Sequence, residues 1–396
     1  MLSQDMLKLG QHRSVIREIF EYGNQRRREI GTENVLDFSL GNPSVPTPEV
    51  VSEALKELIE TVPAAELHAY TSAAGDMEAR NTVAKHICDR FGVPALGKHI
   101  YMTVGAAASL AISLKALVEP GDEVIAVTPY FPEYKVFAES AGARFTVVQS
   151  AEGSLQIDGN ALKKAVNENT KAVIINSPNN PSGVVYNRGS IEVLADVLKE
   201  ASEKYGHRIF IICDEPYREL AYDGVYVPYI PKFYADTIVC YSYSKSLSLP
   251  GERIGYIFVS SGMKDADLIF DAVCGAGRAL GYVCAPSLFQ RLVMKCVDVL
   301  PDLTVYDENR KLLYNTLTDA GFEVVYPDGA FYLFLKAPVS DAYAFCEKAK
   351  EYELLLVPGD DFGCPGYVRI AYCVTNRQVL ASLPAFRKLA QFYIGE

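Results

Sequence analysis

The sequence predicts an α/β fold: a three-layer sandwich with a mostly parallel central sheet, plus a smaller α+β domain. Between about residues 100 and 260, short apolar runs recur, each closed by Gly, Pro or polar residues and followed by a helical period. The runs are almost continuously apolar, as in strands covered on both faces, and do not alternate as half-exposed strands do. Beyond about Ala285 the rhythm changes to long helical stretches with isolated strand-like segments. That change marks the second domain.

Taken in order, residues 11–30 place Val15, Ile16, Ile19 and Phe20 at helical spacing, which predicts an N-terminal helix docked by one apolar face. A Pro-rich stretch from Asn42 to Pro48 follows. At 101-YMTVGAAASLAISLKAL a strand ends and Gly105, Ala106, Ala107 and Ala108 lead into a helix. The runs 122-DEVIAVTPY, 171-KAVIINSPNNPSG, 209-IFIICDEPY, 237-TIVCYSYSK and 254-IGYIFVS read as buried strands, with helices such as 188-RGSIEVLADVLKEASEKYG between them. The stretch 287-SLFQRLVMKCVDVLPDLTVYDENRKLLYNTLTDAG reads as a long helix, and 330-AFYLFL and 367-YVRIAY as strands of the smaller domain. With the N-terminal arm joining it, the small domain comprises 1–45 and 285–396, and the large one 46–284.

Composition narrows the functional classes. The chain has 396 residues, 49% hydrophobic and 22% charged, and no stretch long and apolar enough to cross a bilayer. A net charge of −11 argues against a nucleic-acid partner, because phosphate backbones are held by clustered Lys and Arg. The nine cysteines are scattered without a C-x-x-C pair, which suits reduced, mostly buried thiols. The N-terminal residues lack the apolar core of a secretory signal, and Asp5, Glu18 and Glu21 break up a basic transit helix. A cytoplasmic location is expected.

In open parallel sheets ligands gather outside the carboxyl ends of the strands, a rule that selects Tyr130, Phe131, Asn180, Asp214, Tyr217, Ser242 and Lys245. In 241-YSYSKSLSLPGERIGY a lysine lies just past a strand among serines and precedes Arg253. Partial burial beside a second cation favours the neutral amine that Schiff-base chemistry needs. A solvated loop lysine is the bland alternative. In 213-CDEPYREL, Asp214 could hold a protonated ring nitrogen and Tyr217 a ring oxygen; Asp214 and Glu215 could equally be helix caps or a metal pair. The 176-NSPNNPSG turn could be ordinary turn chemistry or could present amides to a phenolate-type oxygen. The helix opening at Gly105 to Ala108 could receive a phosphate or simply pack closely.

In this order, a small-residue turn, an aromatic pair, N-N-P-S-G, D-E-P-Y, S-x-S-K and an arginine eight residues after the lysine, the chain resembles the class I/II aminotransferases of the fold-type I pyridoxal phosphate enzymes. The resemblance spans nearly the whole chain and includes 68-HAYTSAAGDMEAR and 367-YVRIAY. It implies pyridoxal phosphate as cofactor, with Lys245 as the Schiff-base lysine, Asp214 on the pyridine nitrogen, and Tyr217 and Asn180 on the ring oxygen. It implies phosphate binding by Ser242, Arg253 and the backbone from Gly105 through Ala106 to Ala107, and stacking of Phe131 on the ring. Arg369, with Gly41 and Asn180, falls at the substrate site, where Arg369 would hold the α-carboxylate of an amino acid or 2-oxo acid. Tyr70 would reach the neighbouring subunit's phosphate, so a homodimer with shared sites is implied. Many relatives carry hydroxyl or basic side chains where this chain has Ala106, Ala107 and Ala108, so phosphate binding here leans on backbone amides and Arg253.

The segment 275-GAGRALG approaches a dinucleotide fingerprint, but has one residue too many and lacks a βαβ frame. It is read instead as a Gly-rich turn whose Arg278 could grip a distal substrate carboxylate. The nearest alternative functions share the constellation: a cysteine-sulfur β-lyase, a decarboxylase or a cyclopropane-forming synthase. A cofactor-sensing regulator would need an appended DNA-binding domain. A metal-dependent hydrolase would need a better set than His12, His68, His86, His99 and His207 provide, and no metal is expected.

Overall fold

The computed structural model of the chain describes residues 2–11 and 15–395. His12 and the start of the helix expected over 11–30 lie outside them. The centre is a seven-stranded sheet in the spatial order Ile100–Thr103, Gly255–Val259, Thr237–Ser242, Phe210–Asp214, Thr170–Asn176, Glu123–Val127 and Arg144–Val148. Successive residues of one strand face opposite cores. Ile211 and Cys213 enter one apolar cluster while Phe210 and Ile212 enter another, and Val173 and Ile175 divide from Ala172 and Ile174 in the same way. With both faces covered, every position is apolar, which explains the unbroken runs.

Helices close both faces. Asp76 caps Met77–Phe91 by accepting from the N–H groups of Glu78 and Ala79, and Asn187 caps Arg188–Tyr205 by accepting from Ser190 N–H. Both helices stop at a glycine in the left-handed region, Gly92 at φ 64° and Gly206 at φ 74°. A four-stranded antiparallel sheet, Val357–Pro358, Tyr367–Ala371, Tyr332–Lys336 and Glu323–Val325, forms the second layer system with helices Thr304–Asp319, Ala342–Lys350 and Asn376–Ile394. The N-terminal arm joins it: Leu36–Asp37 pairs in parallel with Leu354–Leu355. Ile19 of helix Val15–Ile30 packs with Leu355, Val357 and Phe362.

The structure corrects several sequence readings. The run at 254 forms Gly255–Val259, which is antiparallel to both neighbours; an apolar run reports burial on two faces but carries no strand direction. The edge strand Arg144–Val148 has no continuous apolar run, because most of it is only partly buried. The long helical stretch from 287 is two helices, Ser287–Cys296 and Thr304–Asp319, interrupted around Pro301, whose ring cannot continue a helix interior. The first packs with the large-domain core through Leu292, Val293 and Cys296, so the expected boundary at 285 cuts through one packed body. The 275-GAGRALG segment lies mostly inside helix Ala266–Leu280, not in a turn. Gly277 is required there by close approach: a Cβ would sit 2.3 Å from the hydroxyl of Tyr101.

Candidate active site

The parallel strands deliver polar residues to one end of the sheet. Asn176 lies beside Asp214 in register, Asp214 lies beside Cys240, and Ser242 pairs with Gly255 at the end of the next ladder. Above these ends lies a cavity of about 310 Å³. Its walls include Gly41, Ala106, Ala107, Phe131, Asn180, Asp214, Tyr217, Ser242, Lys245, Arg253 and Arg369, residues spread over 329 positions of sequence. The fold therefore assembles most of the expected set in one place.

Lys245 sits in the short helix Tyr243–Ser246, whose first turn is set by Ser242 accepting from Ser244 N–H. Its Nζ donates to the carbonyl of Gly41 at 2.6 Å and lies 5.3 Å from the centre of the Phe331 ring. Burial lowers its pKa from 10.5 to about 8, and the cations Arg253 and Arg369 push in the same direction. A substantial fraction of neutral amine is thus available near physiological pH. Gly41 is held by proximity rather than by torsion, since a Cβ there would overlap the hydroxyl of Tyr332.

Asp214 closes the strand Phe210–Asp214 and is buried. Its Oδ2 accepts from the hydroxyl of Tyr134 at 2.6 Å, while its Oδ1 is buried without a partner. Burial raises its pKa to about 7, the Tyr134 hydrogen bond opposes that rise, and Glu215 adds to it. An unpartnered carboxylate oxygen in a cavity wall is costly unless a cation or donor arrives to meet it. Glu215 points elsewhere: both its oxygens accept from Arg218, whose guanidinium stacks 5.0 Å from Tyr229 and 5.2 Å from Phe91. Asp214 and Glu215 therefore form no metal pair, and the described residues contain no cluster of three metal-ligating side chains.

The opposite wall comes from the smaller sheet. Register places Phe334 opposite Arg369, with Tyr332 two residues along the same strand. The buried Arg369 guanidinium lies 4.9 Å from the ring centres of both Tyr332 and Phe362. Its Nη1 donates to Asn180 Oδ1 at 3.0 Å and its Nη2 to the carbonyl of Ser39 at 2.5 Å; Nε is buried without a partner. Tyr217 and Tyr332 share a hydrogen bond between their hydroxyls at 2.8 Å. Burial holds the Tyr217 phenol well above its usual pKa, so it stays protonated.

At the far end, helix Ala106–Leu117 opens with Gly105 at φ 95° and no side-chain cap, leaving its first amides to face the cavity end. A Cβ on Gly105 would stand 2.5 Å from Nη2 of Arg253. Arg253 itself takes φ 55°, a strained setting for a side-chain-bearing residue, and its Nη1 donates to Ser244 Oγ at 3.3 Å. The hydroxyls of Ser242 and Ser244 are 2.7 Å apart. A helix N-terminus, two serines and an arginine converge as an anion cradle.

Four expected residues are not in the cavity lining: Gly105 stands at its edge beside Arg253, Tyr130 packs against Phe145, and Tyr70 and Arg278 lie away from it. Tyr70 is 95% exposed. Arg278 occupies the exposed face of its helix near the C-terminal end. Conversely, sequence reasoning missed Tyr134, Tyr332 and Ile16, while Ser244 was among the serines it set around Lys245. Tyr134 lies in 128-TPYFPEY, three residues after Phe131 and joined to it by a turn in which Tyr134 N–H donates to the Phe131 carbonyl; Tyr332 lies in 330-AFYLFL. Ile16 reaches the cavity wall from helix Val15–Ile30, across a distance in sequence that no local pattern spans.

The family profile for aminotransferase class I and II matches residues 33–384. A probable aspartate aminotransferase of Methanocaldococcus jannaschii is 29% identical over 388 residues, covering 95% of this chain and 96% of that protein. An aspartate aminotransferase of Thermotoga maritima is 30% identical over 357 residues, 89% of this chain and 90% of the relative. Among solved structures, an amino transferase from Eubacterium rectale superposes with a TM-score of 0.97 at 52% identity over 99% of both chains. The aspartate aminotransferase of Thermus thermophilus with maleate gives 0.86 at 25% identity, over 98% of this chain and 100% of that one. Matched by profile, by curated relatives and by fold over nearly its full length, the chain belongs to the class I and II aminotransferases.

Proposed function

We propose that this aminotransferase anchors pyridoxal phosphate through Lys245 and uses it to move the amino group of an L-amino acid to a 2-oxo acid. The observation that carries this reading is the buried, unpartnered Oδ1 of Asp214 in the same cavity wall as a lysine whose amine is easily made neutral. Bound there, the cofactor supplies an electron sink for charge developing at the substrate α-carbon. Asp214 keeps a proton on the ring nitrogen, and its free Oδ1 is the atom that would meet it. The protonated Tyr217 hydroxyl and the Asn180 amide are the donors for the ring oxygen; Asn180 Oδ1 is already committed to Arg369. The amides from Gly105 to Ala107, Ser242 and Arg253 would receive the phosphate, and Phe131 would supply the apolar face for the ring.

Arg369 has five N–H groups and spends two on Asn180 and Ser39, which leaves Nε–H and further N–H groups for an α-carboxylate. Fixing that carboxylate would hold the substrate α-carbon in one orientation beside Lys245. The Lys245 amine would be the group that takes and returns the α-proton.

The reading includes a homodimer. Tyr70 is almost fully exposed, and its segment is tied to that of the exposed Tyr282 and Val283 by the hydrogen bond from Cys284 N–H to the Ala73 carbonyl at 3.1 Å. A second copy that covers this apolar patch would receive Tyr70 at its own phosphate site, and would bring Arg278 toward a shared substrate pocket. The nine free thiols suit the reducing cytoplasm. A panel of amino donors against 2-oxoglutarate, pyruvate and oxaloacetate, run on the protein and on Lys245→Ala, tests the activity: multiple-turnover transamination by Lys245→Ala would overturn it.

A further inference from the structure

We propose that Tyr134 is a positioning residue that holds one oxygen of the Asp214 carboxylate and leaves the other for the cofactor's ring nitrogen; the cofactor half of this rests on the reading above. Tyr134 is 1% exposed and does not line the cavity, so its hydroxyl can reach the site only through Asp214. Its hydroxyl donates to Oδ2 at 2.6 Å, the single hydrogen bond that the Asp214 side chain makes. One oxygen is thereby occupied and the other is left buried without a partner.

The placement follows from the chain. Phe131 and Tyr134 are three residues apart at the start of helix Glu133–Ala141, and their rings meet edge to face with centres 5.7 Å apart. One turn of backbone therefore sets both the stacking ring and the partner of the carboxylate. The other ionisable groups facing Asp214 are Glu215, Tyr217, Cys213 and Cys240. Glu215 is held by Arg218, and burial holds Tyr217, Cys213 and Cys240 in their neutral forms. Among the described residues no cation hydrogen-bonds or pairs with the Asp214 carboxylate, and the Tyr134 hydroxyl is its one partner.

Tyr134→Phe removes the hydroxyl and keeps the ring. In the cofactor-free protein, the pH dependence of stability that depends on Asp214, isolated by comparison with Asp214→Asn, should lie near 7 with the tyrosine in place and move to higher pH in Tyr134→Phe. In the loaded enzyme kcat should fall about tenfold with KM for the amino donor little changed, as expected for loss of one hydrogen bond to a charged group. In an Asp214→Asn background the same change should have little effect on either readout. An unshifted titration in Tyr134→Phe, or equal losses in the two backgrounds, would overturn the proposal. Because the titration needs no cofactor, a protein that fails to bind pyridoxal phosphate would refute the functional reading while leaving Tyr134 separately tested.

Discussion

Replacing Arg369 with lysine separates recognition of the substrate carboxylate from mere support of the strand. The guanidinium lies between Tyr332 and Phe362, its terminal nitrogens are committed to Asn180 and Ser39, and its Nε is buried and open. A carboxylate would take Nε–H and a neighbouring N–H side by side, two charge-assisted hydrogen bonds of roughly 1.5–3 kcal/mol each. Lysine offers a point charge on a shorter reach, so at best one of the two survives. The net loss is about 1.5–3 kcal/mol, or on the order of 10- to 100-fold in kcat/KM. The carboxylate is present in both substrates, so KM should rise for amino donor and 2-oxo acceptor alike, while bound cofactor, measured by its visible absorption, stays near wild type. Unchanged KM for both substrates would show that Arg369 is a structural arginine.

Other perturbations probe the remaining walls. Asp214→Ala should lower kcat by about 3 kcal/mol of barrier, roughly 100-fold, with a much smaller change in cofactor occupancy, which steady-state kinetics and absorbance together would show. Asp214 also leaves a mark on stability. Its folded pKa of about 7 lies above the usual 3.8, so its contribution in the cofactor-free protein is complete below about pH 4 and is lost as pH rises through 7; thermal melts of Asp214→Asn should lack that component. The rate of cofactor capture should rise with pH through about 8, where Lys245 becomes neutral, and level off above it; a flat profile would show that the amine is not limiting. Gly105→Ala combines a φ of 95° with a Cβ contact at Arg253, so cofactor Kd should rise by tenfold or more, for a strain of roughly 1–2 kcal/mol plus the displaced arginine. In Arg278→Ala, a selective fall in kcat/KM for aspartate or glutamate relative to alanine would support recognition of a distal carboxylate across the dimer, and an equal or absent fall would remove it.

What the sequence revealed and what it hid follow from the range of each signal. Lys245, Asp214, Asn180 and Arg253 sit at strand ends or in turns whose local composition announces them, and the topology of a parallel sheet brings those ends together. The antiparallel course of Gly255–Val259 was hidden because its residues are as apolar as those of its parallel neighbours. The glycines of 275-GAGRALG suggested a turn, since glycine favours one; packing against Tyr101 places Gly277 in a helix instead, which only the tertiary structure reveals. Tyr134 escaped because a tyrosine one turn beyond an aromatic reads as core until the Asp214 carboxylate is seen beside it. Ile16 and Tyr332 enter the site from the smaller domain, and no spacing in the chain links them to Lys245.

The central claim is that Lys245 carries the cofactor. Borohydride reduction of the protein saturated with pyridoxal phosphate, followed by peptide mapping, tests it most directly. The account predicts bleaching of the visible absorption and a single phosphopyridoxyl label on the peptide that contains Lys245; a label on any other lysine, or none, would contradict it.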